Sequence, residues 1–414
     1  PRSEPRLQQA VPASRVLDSL RADEAFVGIT GTPRHTWLFV LHAGHVTVAR
    51  SPLGDGDMAA LVQAVRTSLT PGVDGLPPFA MTQAAAIHAA TLGRVTSALK
   101  GVGELVIAPS GALLALPFAL LPTGPANASD PARAPWLIRQ ASLAYVPTAG
   151  NFVALRQAQA TAAPRRPWFG LGDFQPATLA QAAASFPTAS CHASAAAFAS
   201  LPALPYARLE LQAAAATFGA TAGDQLLGAR YTASNVRHAA LGNYRIVHFA
   251  THALLPTDLP CLTEPVIVAS TPPAAPDLGE ALLGADMIGA LHLNADLAVL
   301  SACNTQGGAQ GGEALSALAR NFFYAGARAV MVTQWSVNDQ ASAYLVASSL
   351  SRIHAERTGG AAASLRAAQL AMLDDAQAAG TGPSGLGNPF FWAPFVVIGD
   401  GGKAPPSTTN PPNL

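Results

Sequence analysis

The sequence predicts an α/β fold in which a mostly parallel sheet is flanked by helices. Two apolar runs of strand length, residues 246–252 and 297–303, have the composition of buried parallel strands. Around these runs, further strand-like segments alternate with segments of helical periodicity, which is the order of elements that builds a parallel sheet.

The first part of the chain has this alternation but carries no candidate catalytic group. Residues 1–24 form a predicted N-terminal extension, and residues 25–160 form a predicted first lobe. Strands are predicted at 25–30, 36–42, 46–50, 104–109 and 143–146, and helices at 57–69 and 83–99. Because no His or Cys is placed for chemistry at the end of these strands, this lobe is predicted to be scaffold.

A change in composition predicts a linker at residues 161–205, which are rich in Ala, Ser, Pro and Thr. One short strand at 168–171 interrupts it and is the expected start of a second sheet. Cys191 and His192 lie in the Ala/Ser tract, with no other metal-ligand residue near them in sequence. We therefore expect both in a solvated loop.

The regular alternation returns in residues 206–400, the predicted second lobe. Its strands are predicted at 246–252, 265–269, 297–303, 329–333 and 395–398, and its helices at 209–218, 284–291, 313–324, 339–353 and 361–379. Residues 401–414, with their Pro, Thr and Asn, are predicted to be a disordered tail.

Length and charge limit the class of protein. A chain of 414 residues is expected to form two or three domains or one double-length α/β unit. With 24 basic and 24 acidic residues, the formal net charge is zero, which argues against nucleic acid or anionic lipid as the main partner. No run of 18 or more apolar residues lacks polar breaks, so no membrane-spanning helix is expected.

The three cysteines, Cys191, Cys261 and Cys303, are too few and too scattered to predict a disulfide framework. A reducing, cytoplasmic setting is therefore expected, with Cys261 incidental. No cluster of ligands predicts a metal or a cofactor. The chain begins with Pro1 rather than Met, which we interpret as a piece of a longer protein.

Two chemically competent side chains end the two apolar runs. His252 precedes Cys303 by 51 residues, the spacing of a caspase-type base and thiol nucleophile. Neighbouring parallel strands lie about 5 Å apart, and their carboxyl ends open onto one crevice. The two side chains can therefore face each other. His248, four residues before His252, is expected on the same face of the strand as a packed or supporting histidine.

The loop after Cys303 is rich in glycine and admits close approach of a substrate to backbone N–H groups. A phosphate cradle at Gln306–Gly312 is the alternative interpretation. It is weak, because the loop lacks the Lys-Ser/Thr ending of a P-loop.

Five segments of this half, taken together and in order, resemble one family. They are residues 248–252 (HFATH), 298–305 (AVLSACNT), 312–327 (GEALSALARNFFYAGA), 334–339 (QWSVND) and 389–400 (PFFWAPFVVIGD). Residues 105–118 (LVIAPSGALLALPF) resemble the non-catalytic lobe of the same family. The chain is similar, over roughly residues 25–400, to the CHAT family (caspase HetF associated with TPRs), whose members share the fold of caspases, separases and gingipains.

The resemblance implies an N-terminal pseudo-caspase lobe and a C-terminal catalytic lobe. It implies that His252 is the catalytic histidine, that Cys303 is the nucleophile, and that the backbone N–H groups of Ala253 and Cys303 form the oxyanion hole. Two positions depart from the family pattern. Ala253 stands where glycine is frequent, and Gln306 stands where the family has glycine or an acidic residue.

The substrate pocket is less clear from sequence. By likeness to separases, Asp339 is expected to receive a basic side chain at P1, with a carboxylate in the first turn of its own helix as the alternative role. Trp335, Asp258 and Glu264 are further candidates for the cleft.

Partners are also implied by the resemblance. Family members carry upstream TPR helices, are switched on by a partner, and in some cases act in bacterial defence on gasdermin-like substrates. The sequence thus predicts a regulated cysteine endopeptidase acting on protein. The alternative hypothesis is a catalytically silent CHAT-like scaffold, and the presence of both His252 and Cys303 favours the enzyme.

Overall fold

The computed structural model describes residues 11–158, 165–186, 188, 191–272, 281–302, 311–355, 360–380 and 385–401, with only the backbone given for 311–317. Cys303 and Gln306, and most of the predicted C-terminal tail, lie outside these residues.

The strands and helices alternate along both halves of the chain. The strands are β1 (Glu24–Gly31), β2 (Thr36–His42), β3 (His45–Ser51), β4 (Glu104–Ala108), β5 (Ser142–Tyr145), β6 (Arg166–Gly172), β7 (Gln225–Leu227), β8 (Tyr244–Thr251), β9 (Ala253–Leu254), β10 (Val266–Val268), β11 (Leu282–Leu283), β12 (Leu297–Ala302), β13 (Ala329–Thr333) and β14 (Phe395–Gly399). The helices are α1 (Ala13–Leu17), α2 (Asp55–Thr67), α3 (Met81–Ala90), α4 (Ala149–Gln157), α5 (Leu179–Ser185), α6 (His192–Ala199), α7 (Pro205–Phe218), α8 (Ala233–His238), α9 (Ala285–Gly289), α10 (Gly311–Ala325), α11 (Asp339–Ala355), α12 (Ala361–Ala378) and α13 (Pro389–Trp392).

Eleven of the strands form one sheet that runs through both halves. Its order is β3-β2-β1-β4-β5-β14-β13-β12-β8-β6-β7. The antiparallel pairings within it are β3 with β2, β2 with β1, and β14 with β13, and the other pairings are parallel. A separate small sheet of β11, β10 and β9 follows the end of β8. The predicted mostly parallel sheet flanked by helices is confirmed.

The sheet reverses direction where its two halves meet. β14, from the end of the chain, pairs parallel to β5 and antiparallel to β13. Since β4 and β5 run with β14, while β8, β12 and β13 run the other way, the two halves present their carboxyl strand ends at opposite edges. The edge that holds the carboxyl ends of β8, β12 and β13 therefore lies opposite the carboxyl ends of β1, β4 and β5.

Burial explains which strands are central. Every residue of β12 is buried, as is every residue of β8 except Arg245, which fits strands covered by helices on both faces. In contrast, β3 at the sheet edge alternates between exposed and partly buried residues along most of its length. A run of Val, Ile, Leu and Ala without alternation is thus the local reason that 246–251 and 297–302 lie in the middle.

The predicted linker contains folded structure. Of its described residues, 166–172 form β6, which pairs in parallel with β8, and α5, α6 and the start of α7 follow. Low charge and many small residues made this stretch look like a linker, but helices rich in Ala can pack closely on a sheet. Trp168, Phe186 and Phe198 are nearly inaccessible anchors of this packing.

The expectation for two of the cysteines was wrong. Cys191 and Cys261 form a disulfide with Cα atoms 5.7 Å apart. Cys191 directly precedes α6 and is not in a solvated loop, and His192 is the first residue of that helix. The pair is 70 residues apart in sequence, so only the tertiary fold brings it together.

The predicted helix at 83–99 is shorter than expected. The α-helix ends at Ala90, and 3-10 turns continue at Leu92–Arg94 and Thr96–Leu99. Among the helices described, none is long and apolar enough to cross a membrane.

Candidate active site

The two strands that carry the predicted dyad are neighbours. β8 and β12 pair in parallel, and their last paired residues are Thr251 and Ala302. His252 directly follows Thr251, and Cys303 directly follows Ala302. The predicted adjacency of the two strand ends is confirmed, while the nucleophile itself lies outside the described residues.

His252 is held by a backbone carbonyl. Its Nε2 lies 2.8 Å from the carbonyl oxygen of Pro202, and its ring meets Phe174 edge-on, with centroids 5.0 Å apart. Because a carbonyl only accepts, Nε2 must carry the hydrogen of this bond. The neutral ring therefore has its lone pair on Nδ1, which is the nitrogen that accepts a proton. The side chain is only 3% exposed, so its orientation is fixed by packing as well.

Ala253 follows in the small sheet, opposite Ile267 of β10. The N–H of Val268 donates to the carbonyl of His252, at 2.9 Å. In an antiparallel ladder this bond makes Ala253 and Ile267 a non-hydrogen-bonded pair. The N–H of Ala253 therefore points away from β10, which is compatible with its predicted role toward an oxyanion.

Asp339 lies in electrostatic reach of His252. Its Oδ2 accepts a hydrogen bond from the backbone N–H of Tyr206, at 3.1 Å, and the residue is half-buried. Burial raises the pKa of this carboxyl, while the Tyr206 N–H and the charge of His252 act to lower it. The carboxylate stabilises the first turn of α7, and Asn338 caps the helix of Asp339 by accepting from the N–H of Ala341.

Trp335 is a packed residue. It is 4% exposed, its Nε1 donates to the carbonyl of Phe390 at 3.1 Å, and the Arg66 guanidinium lies 5.5 Å from the centre of its ring. Arg66 also donates to the carbonyl of Gln334, at 2.8 Å. A side chain of the first half thus fixes the segment that leads to Asp339, and a direct contact of Trp335 with substrate stays a prediction.

The other two candidates for the cleft accept backbone hydrogen bonds. Asp258 accepts from the N–H of Leu255 at 2.8 Å, and Glu264 accepts from the N–H of Ala285 at 2.9 Å, at the start of α9. Burial raises the pKa of Asp258, partly offset by the Leu255 N–H. These contacts give both carboxylates a role in loop structure, and contact with substrate stays a prediction for them too.

His248 is buried below His252 and takes part in a polar cluster. Its Nε2 lies 2.6 Å from Oε1 of Glu210, while the hydroxyl of Ser301 donates to Oε2 of Glu210 at 2.9 Å. The Oγ atoms of Ser301 and Ser342 are 3.0 Å apart. The prediction of a packed or supporting histidine agrees with this position.

Sequence reasoning missed Pro202 and Glu210. Both are single residues whose contacts with β8 cross 38 to 50 positions of sequence. A buried glutamate on an apolar helical face was a readable signal for Glu210, because Asp and Glu are almost never fully buried unless paired. No local signal marked Pro202, since its functional atom is a backbone oxygen.

Within the described part of the chain, no group of three or more His, Cys, Asp or Glu side chains is placed to hold a metal ion.

Comparison with known proteins agrees with this geometry. A family model described as the CHAT domain matches residues 82–400. No curated protein sequence matches the chain.

Solved structures with a similar fold were found at low sequence identity. The chain is similar to a separase in a separase–securin complex of Saccharomyces cerevisiae, with a TM-score of 0.55, 8% identity, and coverage of 94% of this chain and 30% of that one. It also matches the Arg-specific cysteine proteinase gingipain R, with a TM-score of 0.40, 9% identity, and coverage of 84% of this chain and 75% of that one. The chain spans about a third of the length of the separase.

Proposed function

Because the chain belongs to the CHAT domain family and has the fold of caspase-like cysteine peptidases, we propose that it is a cysteine endopeptidase that uses a Cys303–His252 dyad. The observation that carries the proposal is the hydrogen bond from His252 Nε2 to the Pro202 carbonyl. His252 directly follows Thr251, which pairs with Ala302 at the end of the neighbouring strand. This bond fixes the tautomer that a proton-transferring histidine needs beside a nucleophile.

The proposed reaction has two steps. The Cys303 thiolate attacks the scissile carbonyl, and the backbone N–H groups of Ala253 and Cys303 donate to the oxyanion. His252, having taken the thiol proton on Nδ1, gives it to the leaving amine, and the C–N bond breaks. Water then hydrolyses the thioester, with His252 as the base, and the free thiol returns.

Asp339 is the proposed acceptor of a basic P1 side chain. Its half-buried carboxylate and its electrostatic coupling to His252 support the proposal, because P1 must lie next to the scissile bond. A carboxylate at that position favours a cationic side chain, and the guanidinium of Arg can bind it through two hydrogen bonds. We therefore propose a preference for Arg at P1.

The biological setting of the proposal follows from the family resemblance. The substrate is proposed to be a protein, of the gasdermin type in a bacterial defence or cell-death response, with control by an upstream TPR segment or a partner. We propose a cytoplasmic setting from the family resemblance alone, because the Cys191–Cys261 disulfide is of a kind that is rare in reducing compartments and argues against it.

The proposal is tested by incubating the protein with a bacterial lysate proteome and sequencing the newly formed N-termini. We expect new termini with the wild-type protein, enriched in Arg or Lys on the P1 side, and none with Cys303→Ala or His252→Ala. Identical termini with and without Cys303 would refute the peptidase and favour the silent scaffold. Enrichment of bound partners by Cys303→Ala in the absence of cleavage by wild type would establish that second role.

A further inference from the structure

The polar cluster below the strand ends joins every element of the candidate site. It consists of Glu210 on α7, His248 on β8, Ser301 on β12 and Ser342 on α11, which are all at least 92% buried. His248 lies four residues before His252, and Ser301 lies two residues before Cys303. Ser342 lies three residues after Asp339 on the same helix.

Charge and hydrogen positions follow from the partners. Among the described residues, His248 Nδ1 has no hydrogen-bond partner. A buried N–H without a partner is rarer than a bare acceptor, so the hydrogen of His248 belongs on Nε2. Glu210 then accepts from His248 with one oxygen and from Ser301 with the other, at 2.6 and 2.9 Å. A carboxylate fits this arrangement best, since both neighbours donate and charged hydrogen bonds are short.

The helix of Glu210 also reaches the specificity candidate. One turn before Glu210, the N–H of Tyr206 donates to Asp339 at 3.1 Å. A single helix therefore contacts the strand of His252, the strand of Cys303 and the residue proposed to bind P1. The side chain that makes two of these three contacts is Glu210.

We propose that Glu210 is a positioning residue of the active site, which sets the register of the β8 and β12 strand ends through His248 and Ser301. The inference rests on the proposed peptidase function and deepens it. A displacement of about 1 Å at reacting groups lowers rates by about 100-fold. The contacts of Glu210 lie four residues before His252 and two residues before Cys303 in rigid strands, so they control kcat. Glu210 contacts no substrate, and substrate affinity depends on other residues.

The main variant is Glu210→Gln, which keeps the size of the side chain. Its NH₂ group cannot accept a hydrogen bond, so one of the two donors, His248 or Ser301, loses its acceptor. We expect kcat for an Arg-P1 peptide to fall by about 10- to 100-fold, with KM changed by less than about twofold. The rates are measured well below the unfolding transition and divided by the concentration of titratable active sites, so loss of folded protein does not enter kcat.

A matched control separates positioning from simple stability. Glu104 in β4 of the first half is also a buried carboxylate, 1% exposed, and accepts from the hydroxyl of Ser142 at 3.2 Å. Glu104→Gln is expected to lower the melting temperature while leaving kcat per active site unchanged. An equal loss of kcat in Glu104→Gln and Glu210→Gln would overturn the inference.

Ser301→Ala keeps the test decisive if Glu210→Gln does not fold. It removes one donor without burying a new polar group, and we expect the same split between kcat and KM, at about tenfold in kcat. In the double variant the losses are expected to be less than multiplicative, because the two residues act through one contact.

Failure of this inference can be told apart from failure of the proposed function. Wild-type cleavage with full kcat in Glu210→Gln and Ser301→Ala would overturn the positioning role and leave the peptidase intact. Absence of wild-type cleavage would overturn both.

Discussion

At the scale of single residues, the site depends on what holds the imidazole of His252. The Pro202 carbonyl takes the Nε2 hydrogen, and the Phe174 ring closes one side of the ring. A carbonyl partner carries no full charge, so it orients the ring without the strong pull that a carboxylate exerts on an imidazolium. This arrangement suits a histidine that must release its proton to a leaving amine.

The carboxyl of Asp339 makes the proposed P1 preference dependent on pH. Burial raises its pKa above the ordinary aspartate value, so protonation begins at a higher pH than for an exposed aspartate. A protonated Asp339 has no charge to attract Arg. We expect the ratio of kcat/KM for Arg-P1 over Ala-P1 peptides to fall as the pH drops, with a midpoint above the ordinary pKa of an aspartate.

The measurement compares the two peptides from neutral pH down to the lowest pH at which the protein stays folded, in wild type and in Asp339→Asn. The variant is expected to lose the preference at every pH, by about 10- to 100-fold at pH 7. Equal rates for Arg and Ala in the wild-type protein would eliminate Asp339 as the P1 acceptor.

Residues differ in how far sequence could foresee them. The adjacency of the strand ends before His252 and Cys303 was predictable because each strand is an apolar run, and the end of a buried parallel strand is defined by local pattern. Pro202 was not, because any exposed carbonyl is a possible acceptor and only tertiary structure selects one. The same holds for the choice of Tyr206, rather than the helix of Asp339 itself, as the partner of that carboxylate.

At the scale of elements, the disulfide reinforces the surroundings of the histidine. Cys191 precedes α6, the helix that leads to Pro202, and Cys261 lies in the loop that leaves His252. The backbone N–H of Cys261 also meets the hydroxyl of Ser194 in that helix, at 3.4 Å. The covalent bond therefore joins the two segments on either side of the His252–Pro202 contact.

Removal of this disulfide is expected to lower the free energy of unfolding. With the cysteines 70 residues apart, loop closure in the unfolded chain predicts a loss of about 4 kcal/mol. Urea unfolding of Cys191→Ser/Cys261→Ser measures it, in a Cys303→Ala background that prevents thiol exchange and self-cleavage. Reduced protein with both cysteines is the matched control and should unfold like the double variant. An oxidised protein that unfolds at the same urea concentration as its reduced form would contradict this expectation.

Element boundaries show where local pattern was sufficient. Residues 36–42 were predicted as β2 and observed with the same bounds, since a hairpin turn at Ala43-Gly44 ends the strand, where both residues have positive φ. The predicted helix at 83–99 failed after Ala90 because Thr91 leaves the helical conformation, at φ −117° and ψ −106°. Gly93 follows two residues later, and a Cβ there would lie 3.0 Å from the carbonyl oxygen of His88, which is tighter than most Cβ contacts.

At the scale of the whole molecule, a cluster of buried charges connects the first strand of the chain, β1, with its last strand, β14. Glu24 at the start of β1 accepts two hydrogen bonds from Arg156, at 2.9 and 3.0 Å, and pairs with Arg21. Asp400, after β14, pairs with Arg328 at 2.8 Å and approaches Arg156 at 3.8 Å. The cluster thus connects β1, α4 and the end of β14 with Arg328, which directly precedes β13.

Loss of Arg156 is expected to destabilise the fold strongly. Arg156→Met leaves Glu24 with a side chain fully buried and one partner fewer, which costs about 3–5 kcal/mol at pH 7. Denaturant unfolding measures this cost. Arg133→Met is the control, because the Arg133–Asp130 pair is largely exposed and contributes less than about 1 kcal/mol.

The cost of Arg156→Met should also depend on pH with a definite sign. Burial alone would raise the pKa of Glu24, but Arg156 and Arg21 lower it below 4.5. The ionised Glu24 therefore stabilises the fold at pH values above its pKa in the unfolded chain. This stabilisation is lost as the pH falls through the pKa of Glu24 in the folded protein. We expect the difference in the free energy of unfolding between wild type and Arg156→Met to shrink from pH 7 toward pH 3. A gap that widens on acidification would contradict the assigned role of Glu24.

The overall topology was only partly accessible from sequence. The mostly parallel sheet flanked by helices followed from the alternation of elements. The seam between β14 and β13 did not, because β14 comes from the end of the chain and inserts beside β5, which precedes it by 397 − 144 = 253 residues. Strand order of this kind depends on long-range pairing that no local pattern encodes.

The central claim is that Cys303 is an activated nucleophile paired with His252, and its alkylation rate tests this most directly. With Cys191 and Cys261 joined, Cys303 is the remaining cysteine of the three and can be followed by mass spectrometry of its peptide. We predict that iodoacetamide reacts half-maximally more than one pH unit below the ordinary thiol value of about 8.5, and that His252→Ala returns the midpoint to that value. A wild-type midpoint at the ordinary thiol value, unchanged in His252→Ala, would contradict the dyad.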